Sequence, residues 1–545
     1  MLVRGKACLT KGVLKENYEK VKVNLIDKID STLHAKTYVG EHEEMYAEPE
    51  FTGKYIDISV KAYTEHSEKK ALENARQVVQ SIQANIREDG YLGCLEKGKE
   101  FENFSVWNQA FTIMGLVSYY NATREESALN VAERSAKYVM EHFVREGYDI
   151  LDAPNYGTQH ISMLYGLCSL YEITKQDVYK EYIFHIVNRL KGSDLDFFNF
   201  DSILNLRSRK AIENIVVLLG ILKYGDLFGD HEALSGAERY WDEVNATQIR
   251  NTGNGTIEEL WSEGGNGAML LGAETRPNEN CVAVGWIELS LALFYKNQDE
   301  KYLDAIDKTL YNHILSAIAP DGSDFAYYRT NYGKSVRETE ESAYKCCRYR
   351  GFTLFTYMND MLYFEDDATL IPMLYASSVY EGNGIKVVQE TNYPYQGNVK
   401  FVAETGKGIT KTLKLRIPKG YKAKLFVDGE RLDIATCNGY LDIEIKENTK
   451  TEIELDLTPI IEAEYGEIHG KKCVSLTYGV VLLALTGATE ETKLNVDNLE
   501  IKRVEETDGH YLMFSAKGET NGNVKDVTLC DYSTADDFTV WPEAI

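Results

Sequence analysis

A switch of hydrophobic period near residue 370 constrains this chain more than any other feature. From about Glu68 to Met361, ALENARQVVQSIQANI, SALNVAERSAKYVMEHF and KYLDAIDKTLYNHILSAI place apolar residues at i, i+3, i+4 and i+7. That spacing draws one apolar stripe along a helix. Between these segments lie stretches apolar on most sides: AFTIMGLVSYYNAT, HISMLYGLCSLYEIT, KAIENIVVLLGILKYG and CVAVGWIELSLALFY. After about Leu370 the period is two, in IKVVQE, NVKFVAE, LKLRIP, AKLFVD, LDIEIK and TEIELDL, with the turn signals PKG, VDGE and CNGY between them.

The helical part repeats imperfectly. GLVSYYNATREESALNVAER, GLCSLYEITKQDVYKEYIFH and GILKYGDLFGDHEALSGAER each open on a glycine, Gly115, Gly166 or Gly220. In each, an apolar helix ends in a polar turn and an amphipathic helix follows. Helices buried on most sides, alternating with helices buried on one, describe two concentric layers. The expected architecture is therefore an α/α barrel, (α/α)6, over residues 1–365, with an open solenoid of helix pairs as the alternative. An antiparallel β-sandwich over 366–475 follows it. VSLTYGVVLLAL, YLMFSAKG and DVTLCDY make the last stretch, 476–545, a further β segment or a second small β domain.

Charge narrows the function. With 85 Asp and Glu against 59 Lys and Arg, the net charge is −26. Such a surface repels phosphate backbones, so nucleic acid is not an expected partner. Anionic membranes and polyanionic sugars are disfavoured for the same reason, unless the fold builds a local basic patch. MLVRGKACLTKGVLKENYEK has neither an apolar core region nor a small-residue cleavage site. No run approaches the ~18 apolar residues of a membrane span, and the nearest, Gly479 to Leu485, reads as a buried strand. Nine cysteines, an odd count, fit reduced thiols in the cytoplasm better than a disulfide framework.

Cys8, Cys94, Cys168, Cys437, Cys473 and Cys530 are scattered and read as structural. Cys346 and Cys347 are adjacent in SAYKCCRYRG, and Cys281 follows Glu279 by two residues in RPNENCVAVGW. Residues i and i+2 point apart on a helix. They converge if they precede it, in the turn that Pro277 and Asn278 suggest. Three thiolates and a carboxylate would complete a tetrahedral site of the kind zinc prefers. The plain alternative is a pair of buried thiols and a solvated Glu.

ENCVAVGWIELSLALFYKNQDEKYLDAIDKTLYNHILSAIAPDGSDFAYY followed by KCC resembles glycoside hydrolase family 127, the β-L-arabinofuranosidase-like family. The ordered pieces are Glu279-Asn280-Cys281, Leu310-Tyr311-Asn312, Asp321-Gly322 and Cys346-Cys347. The likeness extends over most of the chain, with LRIP, VDGE and NGYLDIEI similar to the family's β-sandwich. It implies a retaining glycosidase, exo-acting on a terminal furanoside such as β-L-arabinofuranose. It further implies zinc held by Glu279, Cys281, Cys346 and Cys347, with Cys346 as the nucleophile. A free thiol of pKa about 8.5 is mostly protonated at neutral pH, and a coordinating metal removes that proton.

A retaining mechanism also needs an acid/base. NTGNGTIEELWSEGG resembles the family's glycine turn followed by a Glu and an apolar-aromatic pair, which makes Glu259 the best match and Glu258 and Glu263 its competitors. Leu260-Trp261 is expected to give Glu259 an apolar wall. His160 resembles a sugar-contacting histidine of the family, the alternative being a helix-start histidine bonded to backbone. Trp107, Asn108 and Tyr328 are further candidates for the barrel mouth. The chain also departs from the family. Phe111 and Lys210 stand where members often carry histidine, and Arg348-Tyr349-Arg350 follows the cysteine pair where many have PPN. These departures put the sugar in doubt more than the reaction. The expected partner is a carbohydrate, and a homodimer stays open. Two other readings compete: another α/α-barrel sugar enzyme (epimerase, lyase or unsaturated-uronide hydrolase), or a non-catalytic carbohydrate-binding protein with a structural zinc.

Overall fold

The structure, a computed structural model, describes residues 5–40, 48–102, 104–152, 157–263, 276–334, 346–434, 439–468, 470–487, 492–496, 501–505 and 509–545. Its helical part is built from α1 (Val13–Val23), α2 (Glu48–His66), α3 (Lys69–Asn85), α4 (Ser105–Thr123), α5 (Glu126–Met140), α6 (Met163–Thr174), α7 (Asp177–Leu190), α8 (Ala211–Phe228), α9 (His231–Thr247), α10 (Asn280–Asn297), α11 (Glu300–Lys308) and α12 (Cys346–Thr356). The even-numbered helices form an inner ring in which each packs on the next and α12 packs back on α2. Ring closure makes this an α/α barrel and removes the open solenoid. The amphipathic helices α3, α5, α7, α9 and α11 lie outside their inner partners, and α1 lies outside α12.

The repeat glycines mark the ring contacts. A Cβ on Gly115 would meet the Gly53 carbonyl of α2 at 2.4 Å, one on Gly166 would meet Ile113 of α4, and one on Gly220 would meet Leu164 and Tyr165 of α6. These three inner helices, α4, α6 and α8, thus rest on their predecessors at a residue without a side chain. The polar turns that follow open on left-handed residues, Arg124, Lys175, Gly229 and Gln298. Asp230 and Asp299 then cap the next outer helices through the backbone N–H of Glu232 and Lys301.

Helix α2 begins well before the point where the helical period becomes readable. Glu50, Thr52, Lys54 and Ser59 are buried on it, so polar side chains interrupt its apolar pattern. The six cysteines read as structural divide: Cys94, Cys168, Cys473 and Cys530 are buried, Cys8 is exposed on the strand Lys6–Leu9, and Cys437 lies outside the described residues.

Two sheets face each other after the barrel. The seven-stranded one runs Lys6–Leu9, Ser378–Gly382, Ile385–Thr391, Asn398–Thr405, Lys450–Pro459, Tyr421–Val427, Glu430–Leu432, and the four-stranded one runs Tyr440–Ile445, Lys411–Arg416, Thr369–Pro372, Tyr363–Glu365. Their inner residues, among them Val387, Phe401, Leu413, Ile443 and Leu455, join the barrel's own core. Buried Arg416 fixes the join by pairing with Asp304 and Asp307 of α11. From Ile461 onward the chain enters a separate ten-stranded sheet with cores of its own. That sheet also takes in Tyr332–Lys334, which pairs antiparallel with Asp537–Thr539. The C-terminal sheet therefore holds a segment that leads directly to the barrel mouth.

Candidate active site

Two helix starts meet at one end of the ring. Glu279 is the extended N-cap residue of α10, and Cys281 lies in the first turn. Because only the second of the two is helical, the i and i+2 side chains converge. Cys346 and Cys347 open α12, the ring neighbour of α10. One ligand atom from each of Glu279, Cys281, Cys346 and Cys347 lies within 4.8 Å of the others. The Cys281–Cys347 sulfurs are 3.2 Å apart, Cys346–Cys347 3.9 Å, and Cys347 Sγ lies 3.9 Å from Glu279 Oε1. Sulfurs sharing a tetrahedral zinc at Zn–S of about 2.3 Å stand roughly 3.8 Å apart, so these separations suit one cation. Glu279 Oε2 is buried with no hydrogen-bond partner among the described residues, an orphan that a cation would satisfy. The residues therefore fit a metal, and an S3O donor set suits zinc.

Backbone bonds hold this cluster. The Asn254 side-chain amide donates to the Glu279 carbonyl at 2.7 Å, and the Glu279 N–H donates to Thr256 Oγ1 at 3.0 Å. Asn280 ties the two ligand pairs together, its side chain donating to the Cys347 carbonyl at 3.1 Å. Gly255 lets this turn close, since a Cβ there would lie 1.8 Å from the Gln248 carbonyl. Burial, then the facing Glu259 charge, pushes the Glu279 carboxyl well up, and burial does the same to the Cys281 thiol. Hydrogen bonds from Cys281 and Cys347 draw Cys346 well below the ordinary thiol range.

Glu259 sits on a two-residue turn. Ile257 and Leu260 exchange backbone hydrogen bonds, and Glu258 and Glu259 between them have φ of 48° and 69°. Positive φ at both central residues is the type I′ pattern, unfavourable for side chains other than Asn and Gly. The glycine-rich setting thus yields a turn, and the turn aims one carboxylate inward. Tyr327 and Tyr328 hydroxyls donate to Glu259 Oε1 at 3.1 and 2.7 Å, and Lys210 Nζ pairs with Oε2. Glu258 is exposed. The Glu263 side chain is 86% exposed, against 17% for Glu259. The expected apolar wall is not what Glu259 faces. Trp261 is buried, but its indole N–H turns away to the Tyr240 hydroxyl. Glu259 faces a cation and two hydroxyls instead.

Tyr327 escaped the sequence reading, although it stands beside Tyr328. Its hydroxyl lies 3.3 Å from Cys346 Sγ as well as 3.1 Å from Glu259. The only signal was the doubled tyrosine, and period-two logic would have pointed one of the two away. The segment is held from both sides, by the Asn280 N–H on the Tyr327 carbonyl and by the C-terminal sheet through Val540 N–H to Asn331 and Tyr532 to Thr330.

The remaining candidates spread around the ring. Trp107 and Asn108 lie inside the first turn of α4, and both are buried. Asn108 Oδ1 accepts from the Glu50 N–H at 3.0 Å, and Trp107 packs on Phe111 at 4.9 Å. Lys54 Nζ lies 4.6 Å from the Phe111 ring centroid and pairs with buried Glu50. This ion pair was also unread, being hidden within α2. His160 is buried against Phe143 at 4.4 Å, and burial pushes its pKa down to about 3.

The chain is similar to known proteins over nearly its whole length. The family described as beta-L-arabinofuranosidase, GH127 catalytic domain, matches residues 12–360, and the GH127 middle domain matches 369–459. A non-reducing end beta-L-arabinofuranosidase of Bifidobacterium longum subsp. longum is 22% identical over 394 residues, a match spanning 63% of this chain and 59% of that protein. A crystal structure of a GH127 beta-L-arabinofuranosidase from Geobacillus stearothermophilus T6 has the same fold at TM-score 0.81 and 18% identity, covering 99% of this chain and 100% of the other. A second GH127 beta-arabinofuranosidase aligns at TM-score 0.80 and 18% identity, covering 99% and 97%. Among the described residues no helix is long and apolar enough to cross a membrane.

Proposed function

The chain belongs to glycoside hydrolase family 127, and from that membership we propose a retaining, exo-acting glycosidase that releases a terminal furanoside such as β-L-arabinofuranose. The curated relative is by its name a non-reducing end beta-L-arabinofuranosidase, which supports that substrate class. The observation that carries the mechanism is one hydroxyl: Tyr327 stands between Cys346 Sγ and Glu259 Oε1. The two contacts hold the sulfur and the carboxylate oxygen no more than about 6.4 Å apart, which supports the shorter arrangement of retaining glycosidases, about 5–5.5 Å. Inverting enzymes hold about 6.5–9.5 Å open for a water.

Glu279, Cys281, Cys346 and Cys347 would hold zinc, which supplies deprotonated thiolates and a better sulfur leaving group. Cys346 is the sulfur for attack on the anomeric carbon, because it alone of the three is partly exposed. Glu259 gives a proton to the departing oxygen. It then takes one from the water that releases the sugar from Cys346. Tyr327 and Tyr328 aim the Glu259 carboxyl, and the C-terminal sheet keeps both tyrosines in register. His160, Trp107, Asn108 and Tyr328 are the proposed sugar-side residues. The test is turnover of aryl furanosides and pyranosides, with the first-formed anomer read by NMR. Release of the inverted anomer would remove the covalent step, and absence of turnover across the panel by zinc-loaded protein would remove the hydrolase reading.

A further inference from the structure

The mouth of this barrel carries cations that an acidic chain has no general reason to place there. Arg207, Arg209 and Lys210 fall within four residues just before α8, in a protein of net charge −26. Among the described residues, the salt-bridge partners of Arg207 and Arg209 are loose and exposed, Asp194 at 3.9 Å and Glu263 at 3.7 Å. Lys210 reaches the acid/base carboxylate itself. Its side chain is 28% exposed, and Glu259 is its one salt-bridge partner among the described residues. An ammonium has three N–H donors, so pairing with Glu259 does not exhaust it. Nearby Glu213 is already engaged by the Thr158 hydroxyl, and Glu279 belongs to the metal cluster.

The acid step changes this balance. To give a proton to the leaving oxygen, Glu259 must first be a neutral carboxyl. At that moment Lys210 keeps its charge and loses its close counter-charge. A neutral sugar leaves the half-buried ammonium with hydroxyls alone, whereas a carboxylate on the sugar restores an ion pair in the same place. We propose that the preferred substrate carries a carboxylate on the sugar it releases, and that Lys210 binds that group. The inference rests on the glycosidase reading and names its substrate class. It also gives an anionic sugar one cation to pair with at the mouth of an otherwise acidic chain.

Two measurements separate this inference from the reading beneath it. The first is calorimetric binding of galacturonate, glucuronate and iduronate, each against its neutral hexose, to zinc-loaded wild type and Lys210→Met. At least one acid should bind about tenfold or more tighter than its neutral counterpart, the worth of a charge-assisted contact. Added salt should weaken that preference, and Lys210→Met should abolish it. Equal binding of acids and neutral sugars, or a preference that persists in Lys210→Met, overturns the proposal. The second is kcat/KM on neutral aryl β-L-arabinofuranoside for wild type and Lys210→His. The histidine variant should gain on the neutral substrate relative to wild type. Wild-type turnover of the neutral furanoside that falls in Lys210→His overturns the carboxylate but keeps the glycosidase. Selective, Lys210-dependent binding of an acid with no turnover of any glycoside does the reverse.

Discussion

The two halves of the site are built by different rules. The ligand half, Glu279, Cys281, Cys346 and Cys347, is fixed by helix starts and by backbone bonds from Asn254, Thr256 and Asn280. The mouth half, Lys210, Phe111, Trp107 and Glu259, adds side chains resting on other side chains to its helix starts and to the Ile257–Leu260 turn. A four-coordinate cluster tolerates little displacement, since each ligand must meet one point. A sugar-facing surface need only offer a shape and a few donors. The sequence resemblance to the family rests on the first half and departs in the second, at Phe111 and Lys210, so the proposed reaction has more support than the proposed substrate.

The sharpest way to break this comparison is at its junction, Cys346. Cys346→Ser should lower turnover by roughly 10⁴-fold or more, as loss of a nucleophile does, while the protein stays folded. Intact-mass analysis after reaction with a haloacetamide sugar should find one adduct, on Cys346. An adduct on Cys347, with Cys346→Ser still active, would exchange their roles. On the ligand half, protein purified without added metal should hold about one zinc per chain, and Cys281→Ala/Cys347→Ala should hold almost none. Full zinc content in the double variant, by elemental analysis, would dismantle the cluster. Chelation should also lower the melting temperature, because ligands that bind only the folded state stabilise it.

On the mouth half, Glu259→Ala should cost about 10²–10⁴-fold on substrates with poor leaving groups. The loss should be smaller with good leaving groups, and azide should partly restore the second step. Glu263→Ala should resemble wild type, as an exposed side chain at 3.7 Å from Arg209 has no role in this reading. Should the two variants behave the other way round, the acid/base moves four residues along the chain. Behind the ligands, Asn254→Ala should weaken zinc affinity by about 10–100-fold in chelator competition, the usual worth of an orienting group. Unchanged affinity would mean that the turn merely fills space.

What could be read from the sequence follows the same division. The barrel and the strand regions were legible because 3.6 and 2 are distinct periods over many residues. Ring closure was not, since nothing local in α12 says that it packs on α2. The strand Lys6–Leu9 was missed because four residues carry no period, and its partner Ser378–Gly382 lies far along the chain. The ligand set was legible as two ordered pairs, and the resemblance joined them. Tyr327 and the Glu50–Lys54 pair were not, because each lies in a segment whose pattern gives no reason to single it out.

The smallest expected effect separates fold from chemistry within a single turn. Glu258 and Glu259 both have positive φ, so each carries a backbone penalty of roughly 1 kcal/mol that asparagine largely avoids. Glu258 is exposed, and its N–H donates to the Arg276 carbonyl at 3.1 Å, a bond that substitution preserves. Glu258→Asn should therefore raise stability by a few tenths to about 1 kcal/mol, read as a rise of roughly 1–2 °C in the barrel's thermal midpoint, with turnover unchanged. Glu259→Asn should gain as much at the backbone but lose the Lys210 pair and both tyrosine hydrogen bonds, so it should be less stable than Glu258→Asn and also lose the acid step. The neighbouring substitutions would then part in both stability and rate, as expected where strain is retained to aim one carboxylate. If Glu258→Asn instead loses activity on poor leaving groups, the acid/base is Glu258. The exposed residue would then have to swing inward, and the pairing of Lys210 with Glu259 would belong to the resting protein alone.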